Sequence, residues 1–475
     1  MVKRMETLFM TDRSPLQRQA SAQRLVMLAV VAMLAACASP SVYRSPEVTV
    51  PTQWQQQPAA PASSPVAPVV PTADRWWERF GDPQLTQLVD EALQRNNNLA
   101  VAAIKVRRAQ LQAGLAASAQ WPSVNAGANT SASRLLESGP TTRTNSVSAG
   151  VSWEADLWGR LAALRNTAEW EAQATDQDRA AAALSLVGTT ASLYWQVAYL
   201  NQRIESSQQS IDYARKTLDL VKAQHEAGSV TGLEEAQALQ TLASQEASQS
   251  QLVQQRVEAR NALSILFDGP PSQSQAEARR LPEATLPIVE AGLPASVLAR
   301  RPDLRASELR LRGSLATVDA TRTSYYPTLS LTGSLGGTSN VLSNVLSNPV
   351  ATLGAGLALP FIQWRDMQRN VAVSQADYEQ AVLGFRQAWY QALTDVENAL
   401  SARTQYELQA QQLQRSLTAA LQSERLSEIQ YRAGAVPLKT WLDAQETRRL
   451  ATNNLAQNRL NRLTNLVTLY QALGG

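Results

Sequence analysis

The 475-residue chain has one cysteine, Cys37, and one histidine, His225. These counts exclude a His/Cys metal cage and any disulfide within one chain. No Gly-x-Ser-x-Gly element, phosphate-binding loop or dinucleotide fingerprint occurs, so hydrolase and transferase chemistry find no constellation. The formal net charge is +3, with acids and bases interspersed. That is a solvated surface and not a nucleic-acid footprint. Long tracts also lack proline: from Arg160 to His225 there is none, and one interior glycine.

The beginning of the chain reads as an export signal. Arg13, Arg18 and Arg24 precede an apolar run from Leu25 to Ala36, too short to span a bilayer but suited to a signal-peptide core. It ends in Leu34-Ala35-Ala36-Cys37, which resembles a bacterial lipobox, in which the cysteine thiol takes a lipid. Ala38 follows where lipoproteins kept at the inner membrane often carry Asp, which points to the outer membrane. Residues 1–36 are assigned to the signal peptide. Residues 37–73, rich in Pro, Ala, Ser and Gln, are read as a lipidated, flexible tether.

The rest of the chain repeats itself about 206 residues apart. Trp121-Pro122-Ser123-Val124 returns as Tyr326-Pro327-Thr328-Leu329, and Trp158 as Trp364. His225-Glu226-Ala227-Gly228-Ser229-Val230 returns as Tyr431-Arg432-Ala433-Gly434-Ala435-Val436. Residues 74–267 and 294–475 form the two copies, joined by a Pro-rich linker at 268–293. Each copy predicts a helix, a strand pair and a long helical hairpin. The opening helix is expected over about 84–119.

Four segments alternate apolar and polar with period two. Val147, Ala149, Val151, Trp153 and Ala155 make up one; Leu353, Ala355, Leu357, Leu359 and Phe361 another. Leu329, Leu331, Gly333 and Leu335 form a third, and Val124, Ala126 and Ala128 a weaker one. Alternation sends each set to one face of a sheet, with small polar residues on the other. This suits a membrane barrel with lipid outside and water inside; soluble hairpins have the same period. Trp121, Trp153, Trp158, Tyr325, Tyr326, Phe361 and Trp364 cluster at one end of these strands. Such rings fit a membrane–water boundary and equally a strand–helix junction.

The helical tract from about Arg160 to His225 would extend on the order of 100 Å. Leu186, Leu193, Val197, Leu200, Ile204, Ile211, Leu218 and Val221 step along it as a coiled-coil seam. A second runs from about Asp366 to Tyr431, with return helices over about 233–267 and 438–473. Such hairpins cannot bury a globular core alone, so lateral neighbours are expected.

At this point the residues resemble a known family. Trp76-Trp77-Glu78-Arg79-Phe80-Gly81-Asp82-Pro83, Arg301-Pro302-Asp303-Leu304, Tyr325-Tyr326-Pro327-Thr328-Leu329-Ser330-Leu331 and Tyr431-Arg432-Ala433-Gly434, continuing to Leu442-Asp443-Ala444-Gln445, look like outer-membrane efflux proteins of the TolC class, in the lipoprotein branch serving resistance-nodulation-division pumps. The resemblance implies a mainly α protein with a transmembrane β-barrel. Three chains, four strands each, would close one barrel of twelve strands, continued by an α-helical periplasmic tunnel. It implies a passive duct fed by an inner-membrane pump through a periplasmic adaptor protein, with outer-membrane lipid as a further partner. No cofactor is implied beyond the lipid on Cys37. A type I secretion channel and a pore-less periplasmic coiled-coil scaffold are the alternatives; the lipobox and Trp-Trp segment favour the pump branch, and the four alternating segments disfavour the scaffold.

The two glycine breaks are expected at the periplasmic tips. Gly228, Ser229 and Val230, with Gly434, Ala435 and Val436, are the expected docking residues for the adaptor. Gly434 suits the left-handed end of a helix and Pro437 the first turn of the next. By resemblance, Asp443 lines the narrowest point of the tunnel, where a trimer would gather three carboxylates. Glu234 matches an acidic tip position, yet Thr231-Gly232-Leu233-Glu234 also fits a helix capping box, which accounts for it without any gate. Lys439 and Trp441 depart from the aliphatic residues frequent in relatives. His225 reads as a solvated turn residue.

Overall fold

The structure is a computed structural model that describes residues 41–56, 75–134, 136, 139–271, 277–283, 285–287, 289, 294 and 299–475. The signal segment, Cys37 and much of the linker lie outside them. The helices are α1 (Pro83–Arg95), α2 (Asn97–Ser118), α3 (Arg160–Glu226), α4 (Gly232–Ile265), α5 (Pro302–Thr323), α6 (Trp364–Arg432) and α7 (Leu438–Leu473). The strands are β1 (Ser123–Ser133), β2 (Thr142–Ala155), β3 (Thr328–Ser339) and β4 (Val350–Ala358). The element order after α2 recurs after α5: two strands, a very long helix, and a shorter return helix. Among the described residues no helix is long and apolar enough to cross a membrane.

The four strands form one antiparallel sheet in the order β1-β2-β3-β4. Opposed residues share a face, and the register brings the four apolar sets together. Val124 faces Val151, Val151 faces Gly333, and Gly333 faces Leu353. One residue along, Asn125, Gly150, Ser334 and Thr352 line up on the other face. One surface is thus Val, Leu and Ala, the other Ser, Thr, Asn and Gly. The apolar surface is bare within one chain; Leu353 is 91% exposed.

By contacts the chain divides into two compact units. One takes the described residues of Met1–Ser45 with Ala109–Glu171 and Arg310–Val382, and so contains the sheet. Its strand–helix junctions are tied by side chains. Asp156 accepts from the backbone N–H groups of Leu161 and Ala162 and so caps α3. The Trp158 indole donates to the Pro327 carbonyl at 2.7 Å and lies edge-on to Tyr326. The Trp153 indole donates to the Gln120 carbonyl at 2.9 Å.

The other unit takes Pro46–Arg108, Ala172–Leu309 and Leu383–Gly475. Its core is aromatic. Trp76 stacks on Tyr470 with centroids 4.7 Å apart, and Phe80 packs edge-on to Trp195 at the same distance. Asp82 caps α1 through Gln84 and Leu85 with one carboxylate oxygen, and accepts the Tyr194 hydroxyl at 2.9 Å with the other. Arg301, only 12% exposed, bonds Asp303, Asp395 and the Ala472 carbonyl. It binds the start of α5 to α6 and to the end of α7.

Two expectations need correction. The single helix over 84–119 is two helices, because Asn96 takes an extended conformation between them. Its amide donates to the Leu266 carbonyl at 3.0 Å while its Oδ1 caps Leu99 N–H at 3.1 Å. An Asn side chain that satisfies backbone groups in this way competes with the helix ladder. The tether is also not free throughout. Trp54 is 3% exposed, within the aromatic core, and the next two backbone N–H groups donate to Glu397. Ser41 bonds both oxygens of Asp319.

Candidate functional site: the hairpin tips

Each long hairpin turns through the same motif. At the end of α3, Gly228 N–H donates to the His225 carbonyl and Ser229 N–H to that of Gln224, both at 2.9 Å. At the end of α6, Gly434 N–H donates to the Tyr431 carbonyl at 2.9 Å and Ala435 N–H to Gln430 at 2.8 Å. Both are Schellman motifs, which need a left-handed residue, and the two glycines have φ of 75° and 72°. The glycine pattern in the sequence foretold this.

The turns then differ. Thr231 caps α4, and a full capping box with Glu234 forms. The Thr231 hydroxyl, the Glu234 and Thr231 backbone N–H groups and His225 hold the Glu234 carboxyl below the usual carboxylate range. Glu234 is therefore engaged in capping. In the second turn the capping position is occupied by Pro437, one residue earlier than the expected first-turn place, with no side-chain cap. His225 stays exposed, its Nδ1 3.1 Å from the Val230 carbonyl. Ser229 and Ala435 are exposed, and Val230 and Val436 half-buried.

A small second core lies behind the turns. Leu218, Val221, Ala238, Tyr431, Leu438, Trp441 and Leu442 are buried together. Tyr213 meets Trp441 edge-on at 6.0 Å. The Tyr431 hydroxyl donates to Gln224 Oε1 at 2.8 Å, and that of Tyr213 to Glu428 Oε2 at 3.2 Å. Burial, and then the Glu428 charge, push the Tyr213 phenol up to about 12. These contacts join the α3/α4 hairpin to the α6/α7 hairpin. Sequence reading missed this core, although Leu438, Trp441, Leu442 and Gln445 fall at helical spacing along one face.

Asp443 is on the opposite, exposed face of α7, where Lys439 Nζ bonds both its oxygens at 2.8 and 2.9 Å. The structure does not bring Asp443 and Glu234 into one cluster in a single chain; they lie on separate hairpins with separate partners. Farther along, the four helices enclose a polar cleft of about 760 Å³ lined by Arg203, Glu424, Glu428, Arg448 and Arg449 among others. Burial holds the Glu424 carboxyl above its usual range, even with Arg448 2.5 Å away. Among the described residues no group of His, Cys, Asp or Glu is arranged to hold a metal ion.

Known proteins share this architecture. A model of the family described as outer membrane efflux protein matches residues 88–267 and 293–475. The chain is 32% identical over 467 residues to the pyoverdine export outer membrane protein OpmQ of Pseudomonas aeruginosa, covering 96% of this chain and 97% of that protein. It is 29% identical over 463 residues to the probable efflux pump outer membrane protein TtgC of Pseudomonas putida, covering 95% of each. The outer-membrane channel OprN superposes with a TM-score of 0.82 at 25% identity, over 92% of this chain and 99% of OprN. With the family match spanning both halves, and the sheet and paired helical hairpins in common with a solved channel, the chain belongs to the outer membrane efflux protein family and serves as an outer-membrane efflux channel.

Proposed function

We propose that three copies of the chain form one closed duct. Each contributes its four-stranded sheet to a twelve-stranded barrel in the outer membrane, and its helices to a periplasmic tunnel. The observation that carries this is the open sheet. β1 and β4 each leave one edge unpaired within the chain, and one face is apolar and bare. Unpaired backbone groups cost several kcal/mol each in hydrocarbon, so a sheet in lipid must close. The polar face then lines the water-filled interior.

In this reading the lipid on Cys37 adds an anchor beside the barrel. The tips carrying Gly228, Ser229, Val230, Gly434, Ala435 and Val436 meet a periplasmic adaptor, which couples the duct to an inner-membrane resistance-nodulation-division pump. Asp443 lines the narrow end, and Glu234 serves its helix cap. The cargo is a small solute whose selection rests with the pump.

Detergent extraction of the outer membrane followed by mass measurement tests the assembly. A particle of three chains is expected; a water-soluble monomer needing no detergent would overturn it. Deleting the gene should lower tolerance to compounds the pump expels, and Cys37→Ala should release the anchor while leaving the barrel in the membrane.

A further inference from the structure

α7 is two-sided at its start. Leu438, Trp441, Leu442 and Gln445 are buried, the first three in the tip core, whereas Lys439, Asp443, Glu446 and Thr447 share the exposed face. On that face the Lys439 ammonium reaches both oxygens of Asp443 across one helical turn. The next acid, Glu446, is held by Arg449 at 2.5 Å, so Asp443 is the carboxylate that Lys439 serves. Both partners are well exposed in the single chain, at 66% and 64%.

We infer that Lys439 is a specificity-determining residue of the duct: it neutralises the Asp443 carboxylates at the narrow end and so cancels the cation preference that they alone would impose. This rests on the proposed placement of Asp443 in a trimer. Carboxylates gathered around an axis concentrate cations and repel anions. A lysine on each one brings the formal charge of the ring to zero. The pair adds little to stability, because exposed ion pairs contribute little. Its effect is on the lumen, where a permeating solute passes within a Debye length, about 8–10 Å, of these charges. Anionic and cationic solutes then meet a constriction of the same, weak field.

Full-length protein reconstituted in planar bilayers tests this through the reversal potential in a potassium chloride gradient at low ionic strength. Wild type, Lys439→Ala, Asp443→Asn and the double variant are compared. Both side chains are exposed, so each variant keeps its fold. Wild type should discriminate weakly. Lys439→Ala should raise the cation-to-anion permeability ratio by at least about threefold, and the double variant should return it to near the wild-type value. If Lys439→Ala behaves as wild type while Asp443→Asn shifts the ratio, the lysine does not act on the ring; the inference fails and the gate placement stands. If no variant shifts the ratio, Asp443 lies off the conduction path, and the placement and the inference fall together.

Discussion

Tyr431 stacks on Trp441 with ring centroids 5.2 Å apart and planes inclined by 26°. The two residues flank the α6–α7 turn, so the stack closes the base of one hairpin. The Tyr431 hydroxyl also reaches Gln224 on the other hairpin, so the same residue links the two. The tips are therefore tied together by aromatic contacts as well as by their turns.

Trp441→Ala should cost about 3–5 kcal/mol by removing a fully buried aromatic from this core. Tyr431→Phe keeps the stack and loses only the bond to Gln224, a loss of about 1 kcal/mol. Thermal unfolding of the purified protein should rank wild type above Tyr431→Phe and Tyr431→Phe above Trp441→Ala. Protease cutting near the turns should follow the reverse order. Equal melting of Trp441→Ala and wild type would remove the tip core from the account.

Arg301 makes a pH-dependent contribution. Burial opposes the charge on Asp303, but the hydrogen bond and positive charge of Arg301 outweigh it and hold the Asp303 carboxyl below its ordinary value of 3.8. A depressed carboxylate stabilises the fold above the unfolded-state value, and this stability is lost as pH falls through the lower folded-state value. Wild-type melting should thus decline as pH drops below about 4, and Arg301→Met should show a flatter decline from a lower starting point. Arg301→Lys should not restore the wild type, because an ammonium cannot bridge Asp303, Asp395 and the Ala472 carbonyl as a guanidinium does.

Much of this was legible in the sequence wherever the deciding forces are local. The two faces of the sheet follow from alternation, because a slip of one residue would put Val151 among the serines. The long helices end where Gly228 and Gly434 end them. What escaped depends on distant partners. The tract Asn96-Asn97-Asn98 sits between two periodic stretches, and Asn96 becomes the break by bonding the distant Leu266 carbonyl as well as the local Leu99 N–H. Trp54 stands alone among Pro and Gln, without periodicity, and its burial is decided by the core it joins. Tyr213 and Trp441 meet across more than 200 residues of chain. The glycines at the tips were visible as punctuation, but the aromatic core behind them was not.

Gly434 and Gly384 separate two meanings of glycine. Neither has a neighbour within 4 Å of where a Cβ would stand, so space does not distinguish them. Gly434 has φ of 72°, whereas Gly384 lies inside α6. Gly434→Ala should destabilise by about 1–2 kcal/mol through left-handed strain. Gly384→Ala should stabilise by up to about 1 kcal/mol, through the entropy a glycine loses in a helix. Opposite shifts in melting temperature are expected; shifts of one sign would contradict the backbone argument.

The sheet offers the sharpest contrast, between neighbours in sequence. Leu353 opposes Gly333 on the apolar face, and Thr352 opposes Ser334 on the polar one. Arginine at either position has the same strand propensity and the same charge, so only the face differs. On a lipid-facing site an arginine costs about 2–4 kcal/mol near the bilayer midplane, whereas on the lumen face it is hydrated. Leu353→Arg should lower the amount of channel recovered from the outer membrane. Thr352→Arg should insert as wild type does and shift the duct towards anions in a salt-gradient reversal measurement. If both variants insert equally well and neither alters selectivity, the two faces do not meet lipid and water, and the barrel reading is wrong.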